Sequence, residues 1–125
     1  MIEADEIRGT FQAYMKAIES RDRTGLLALF ADDIVQVDPY PSAPKVGKEA
    51  VGAFFDQTWA MTQEMKFILG RTIISADRGV FPFTIRSKVG DATVEVDAVD
   101  VVTFSEDGRI AEITAYVDFT GMRTL

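Results

Sequence analysis

The chain has 125 residues, with 20 Asp and Glu against 13 Lys and Arg, a formal net charge of −7, and neither histidine nor cysteine. The acidic surplus disfavours binding to a phosphate backbone, which rests on Lys and Arg displacing counterions, so nucleic acid is not an expected partner. Without cysteine there are no disulfides, thiolate nucleophiles or sulfur metal ligands, and without histidine the usual general base is missing. Proton chemistry near neutral pH then falls to carboxylates, Tyr or Lys with shifted pKa values.

The length suits a single domain over residues 1–125, one core and one pocket, with roughly two thirds of the unfolded surface buried on folding. The longest apolar run, Leu26 to Ala31, falls far short of the ~20 residues that span a bilayer, so no membrane span is expected. Glu3, Asp5 and Glu6 make the opening acidic where a secretory signal is basic and then apolar, which leaves the cytoplasm as the expected compartment.

In chain order, Ile7, Phe11, Tyr14 and Ile18 align on one face of a first amphipathic helix, which points Tyr14 inward. A polar break at Ser20 to Asp22 follows, and Asp22 or Thr24 can cap a short second helix carrying Leu26, Leu27, Leu29 and Phe30, expected to be largely buried. Ile34 to Asp38 reads as a brief strand stopped by Pro39, and Pro39 to Lys48 as a rigid loop. Val51, Phe54, Phe55 and Trp59 mark a third helix with Glu49 near its positive end. From about Lys66 onward, β-rich runs alternate with turns at Ala76 to Gly79, Val89 to Asp91 and Ser105 to Gly108, a meander of antiparallel strands. Helices early and strands late predict an α+β domain whose helices cover one face of a curved sheet.

Three residues stand out for chemistry. A period of two from Ala92 to Phe104 puts Asp100 in a row with Val94, Val96, Ala98, Val102 and Phe104, while Glu95, Asp97, Val99, Val101 and Thr103 face solvent or a partner subunit. In that row Asp100 is either a carboxylic acid kept protonated by its surroundings or an acid at a bulge reaching water or an Arg. Asp38 ends its strand at a corner fixed by Pro39, where an acid either leans into a pocket or caps a loop. Tyr14 is either a functional hydroxyl or a core tyrosine with any convenient acceptor.

Leu29-Phe30-Ala31-Asp32-Asp33, then Val37-Asp38-Pro39, and Ala98-Val99-Asp100 ahead of Gly108-Arg109-Ile110 and Ala115-Tyr116 together resemble the bacterial Δ5-3-ketosteroid isomerases, over Phe11 to Val117. These enzymes belong to the wider nuclear-transport-factor-2-like and SnoaL-like superfamily, which hosts unrelated functions on one fold. The resemblance implies a cone-shaped α+β fold, three N-terminal helices on a curved antiparallel or mixed sheet around an apolar pocket, commonly a homodimer through the sheet. It implies a cofactor-free and metal-free shift of a double bond in a 3-oxo-Δ5 steroid or similar small apolar ketone. Asp38 matches the general base, Tyr14 the oxyanion tyrosine and Asp100 the protonated aspartic acid, with Phe54, Phe81, Phe83 and Val102 as pocket walls.

The chain departs from the family pattern in places. Phe55 stands where many members have a second tyrosine bonded to the first, and Val117 where a large aromatic often closes the pocket. Gln36 stands on the Asp38 strand face where an apolar residue is usual. Two other functions suit the fold: a polyketide cyclase, also acid-dependent and metal-free, and a non-catalytic domain that dimerises or binds a small lipid.

Overall fold

The computed structural model describes residues 2–125, and its first helix, α1 (Ala4–Ser20), forms where the apolar stripe requires it. Ile7, Phe11, Tyr14 and Ile18 are all buried along one face, with Met15 and Ala17 beside them. The helix ends at Arg21 in the left-handed region (φ 59°). From that corner the Arg21 guanidinium donates to Trp59 O at 2.7 Å, Thr62 O at 2.6 Å and Gln63 O at 3.1 Å, supplying carbonyls at the end of α3 (Lys48–Met61) that have no partner within that helix. Trp59 Nε1 donates to Ile18 O at 3.0 Å, a second tie between the two helices.

Asp22 is the cap of α2 (Arg23–Ala28), its side chain accepting from Gly25 N at 3.0 Å. This helix is shorter and less buried than its apolar composition predicts: Leu26 alone is fully buried, and Phe30 belongs to the next strand. Phe30 is drawn into the sheet because it pairs with Ile110, whose N–H donates to Leu29 O at 2.8 Å. β1 therefore runs Phe30–Val37, starting before the expected Ile34, and a register shift between Phe30 and Val35 accommodates exposed Asp32 and Asp33.

The remaining strands are β2 (Lys45–Val46), β3 (Glu64–Leu69), β4 (Ile73–Ser75), β5 (Arg78–Val89), β6 (Ala92–Phe104), β7 (Ile110–Val117) and β8 (Arg123–Thr124). They form one sheet in the order β2-β1-β7-β6-β5-β3, with β4 on β5 and β8 on β6. The sheet is mixed, because β1 runs parallel to β7, whereas the late strands pair antiparallel as the meander predicts. The supposed loop after Pro39 is interrupted by β2, which pairs with β1. The long β5–β6 hairpin turns at Gly90 and Asp91, where Gly90 takes φ 62°.

Alternation along β6 places Val96, Ala98, Asp100, Val102 and Phe104 inward under the helices. On the opposite face Arg123 forks onto Asp97 with two contacts of 3.1 Å, and Arg86 Nε donates to Glu95 at 2.8 Å. These partners hold both carboxyls, the exposed Asp97 and the largely covered Glu95, below their ordinary range.

Candidate active site

The sheet register brings the two singled-out acids into one row. Val37 lies beside Thr114 on β7, and Tyr40 N donates to Ala115 O at 2.8 Å, so Asp38 falls next to Ala115. Asp100 pairs with the same Ala115 from the other side. The order Asp38, Ala115, Asp100 spans two strand spacings, roughly 10 Å between backbones, with both acids on the inner face. Tyr14 comes down from α1, its ring 6.1 Å from Phe30 and 6.2 Å edge-on from Phe55.

These three side chains line one cavity of about 120 Å³ together with Phe54, Phe55, Phe83, Ala115 and Val117. A site that encloses a drug-sized ligand measures roughly 300 Å³ or more, so this cavity has room for only the end of such a molecule. Phe81 and Val102, expected as walls, do not line it. Both have no exposed surface: Phe81 stacks on Phe11 at 3.8 Å, and Val102 sits one row deeper, opposite Ile113. Wall residues missed in the sequence include Met15, Ile18, Thr58, Met65, Phe67 and Ile85. Their signal was present: Met15 and Ile18 follow the α1 stripe, and Met65 and Phe67 alternate inward along β3 as Phe83 and Ile85 do along β5.

Burial sets the protonation states. It raises the Asp38 carboxyl to about 6, opposed by the charge of Lys45. Lys45 Nζ sits 4.8 Å from the centre of the Phe54 ring, at the same side of the cavity. Asp100, 2% exposed, is pushed well above the usual carboxylic range, first by burial and then by the charge of Asp38. Tyr14 is raised as well, by burial and then by Asp100 and Asp38. The shifts run in the direction that leaves Asp38 the readier of the two acids to ionise and favours the neutral O–H forms of Asp100 and Tyr14. Among the described residues no cluster of three acids is placed to hold a metal ion.

A profile of the SnoaL-like domain matches residues 11–113. The chain belongs to the SnoaL-like family. This SnoaL-like protein is 24% identical over 111 residues, covering 89% of each chain, to a protein named steroid Delta-isomerase from Nocardioides simplex. Among solved structures it matches RV0760c from Mycobacterium tuberculosis at 28% identity and TM-score 0.87, with both chains covered in full. The same protein in complex with estradiol-17β-hemisuccinate matches with TM-score 0.84 over 94% of this chain and 98% of that one. The epoxide hydrolase/cyclase-like enzyme SalBIII shares the fold at 16% identity and TM-score 0.89, each chain covered in full. The SnoaL-like protein accordingly has the NTF2-like α+β fold, three helices on a curved mixed sheet.

Proposed function

We propose that this protein is a steroid Δ-isomerase that moves a double bond from Δ5 to Δ4 in a 3-oxo steroid. The carrying observation is that Asp38, Tyr14 and Asp100 converge on one apolar cavity in complementary protonation states. The Asp38 carboxylate takes a proton from C4, and the C–H electron pair moves through C3–C4 onto the C3 oxygen, giving a dienolate. The O–H groups of Tyr14 and Asp100 hydrogen-bond that oxygen as charge gathers on it. Protonated Asp38 then returns its proton to C6, the oxygen reverts to a ketone, and acid, proton and electrons balance without a cofactor.

The name of the Nocardioides simplex relative and the steroid held by the Mycobacterium tuberculosis neighbour support this substrate class. The cavity's small volume suits the keto end of a steroid, with the remaining rings against Phe54, Phe67 and Val117 at the mouth. The reading includes a homodimer and, on the sequence grounds above, a cytoplasmic setting. The cyclase alternative draws on the fold shared with SalBIII. Ultraviolet absorbance separates them: an isomerase given a 5-ene-3-one steroid generates a conjugated enone chromophore. A cyclase or a lipid binder leaves the absorbance unchanged, and that result ends the isomerase reading.

A further inference from the structure

Gln36 shares the inner face of β1 with Ile34 and Asp38 and has no exposed surface. Neither its Nε2 nor its Oε1 has a hydrogen-bond partner among the described residues. A buried polar group left unbonded costs about 1–3 kcal/mol, and an apolar side chain such as neighbouring Ile34 would avoid that cost. In its own row Gln36 lies opposite Ile113 on one side, itself opposite Val102, and opposite Lys45 on the other, whose Nζ is turned over the Phe54 ring; the Gln36 side chain bonds none of them.

One row toward the cavity mouth the situation is reversed. Asp38 stands two residues along the same strand face, about 6.6 Å between backbones, a gap the two side chains can close together. Burial and the charge of Lys45 act on its carboxylate, and no hydrogen-bond donor among the described residues does. The other ionisable groups facing it are Tyr14 from α1, Asp100 from β6 and Lys45 from β2. Tyr14 and Asp100 are given to the ligand oxygen in the proposed reaction, and the Lys45 ammonium rests over Phe54. That leaves the Gln36 amide as the uncommitted donor beside the base.

We propose that Gln36 is the positioning residue of Asp38, its Nε2–H donating to the ionised carboxylate and fixing which oxygen faces the substrate. Its part in turnover rests on the isomerase reading, but the hydrogen bond does not. Ionisation is what turns the amide toward Asp38, since a bond to a charged acceptor contributes about 1.5–3 kcal/mol against roughly 1 for a neutral one. Oε1 is left as the unmet atom, and an under-bonded carbonyl is more readily tolerated than an orphaned N–H.

The test is NMR titration of aspartate carboxyl carbons and of the Gln36 side-chain amide, with Asp38→Asn to assign the Asp38 signal. In the wild type the Gln36 Nε2 resonance should move with the Asp38 titration, and in Asp38→Asn that movement should vanish. Removing the donor in Gln36→Leu or Gln36→Met disfavours the charged form, so the Asp38 pKa should rise by about one unit in each. The rising limb of kcat/KM for a 5-ene-3-one should shift by the same amount. A merely structural glutamine would leave both the Asp38 pKa and that limb unmoved. A Gln36 resonance indifferent to the Asp38 titration overturns the proposal without any Gln36 variant having to fold. So does an Asp38 pKa unchanged in whichever variant folds. Lack of steroid turnover by the wild type counts against the isomerase reading alone and leaves the hydrogen bond to be decided by NMR.

Discussion

Two carboxylic acids of one chemical type are assigned opposite work here, and their surroundings account for it. Asp38 is half-buried at a strand end with Lys45 nearby, whereas Asp100 is enclosed by β6 neighbours that offer no compensation for charge. Asp38→Asn should lower isomerisation ~10²–10⁴-fold, the usual worth of a general base, while retaining affinity for a phenolic steroid; a loss below tenfold would remove Asp38 from that role. In the wild type kcat/KM should climb as pH rises through about 6, because the base works only when ionised. Tyr14→Phe and Asp100→Ala should each lower kcat by ~10²–10³-fold, the usual effect of deleting one oxyanion donor. Asp100→Asn, which keeps an N–H donor, should lose less than Asp100→Ala, and equal losses would argue against donation. These acids drew notice in the sequence by position alone, which left Asp100 open between a protonated acid and a bulge residue. The resemblance favoured the former, and only the cross-strand register through Ala115 shows how far apart the two acids stand. Gln36 was visible as an oddity, but its lack of partners is a property of three-dimensional packing.

At the scale of elements, β6 carries a linkage between proton binding and stability. Asp100 has a raised folded pKa, so the native state holds a proton that the unfolded chain releases above its own value of ~3.9. The contribution of Asp100 is therefore fully present below that unfolded value and declines as pH rises toward the folded pKa. Urea midpoints measured from mildly acidic to alkaline pH should fall less steeply for Asp100→Asn than for the wild type, at equal slopes. Parallel profiles would place an ionised Asp100 in the fold. The elements themselves were legible where periodicity is long: the α1 stripe and the β6 alternation needed no structure. Short elements were not. Phe30 has helix-compatible neighbours, yet its pairing with Ile110, 80 positions away, decides its state, and β2 exists only because β1 offers an edge. The resemblance put Phe81 on the wall together with Phe83, but a family pattern does not distinguish the cavity from the layer stacked behind it, where Phe81 lies on Phe11.

For the whole molecule, the face of the sheet opposite the helices bears a shallow depression of about 630 Å³, whose lining includes Ile68, Pro82, Val99 and Tyr116. On the same face Tyr116 remains 45% exposed and Val101 36%, apolar side chains that a second copy would cover. If this face joins two copies as the proposed homodimer requires, sedimentation should report a dimer for the wild type and a monomer for Val101→Asp with Tyr116→Glu. A wild type that sediments as a monomer at micromolar concentration would end that expectation. The single row through Ala115 has a further consequence for how activity should fail on heating. Because Asp38 and Asp100 flank one residue of a central strand, their separation is a property of the backbone ladder, and no hinge or lid stands between them. Warming should therefore cost this protein its turnover and its slow-exchanging β7 amides over the same few degrees, with little loss of rate before the sheet itself melts.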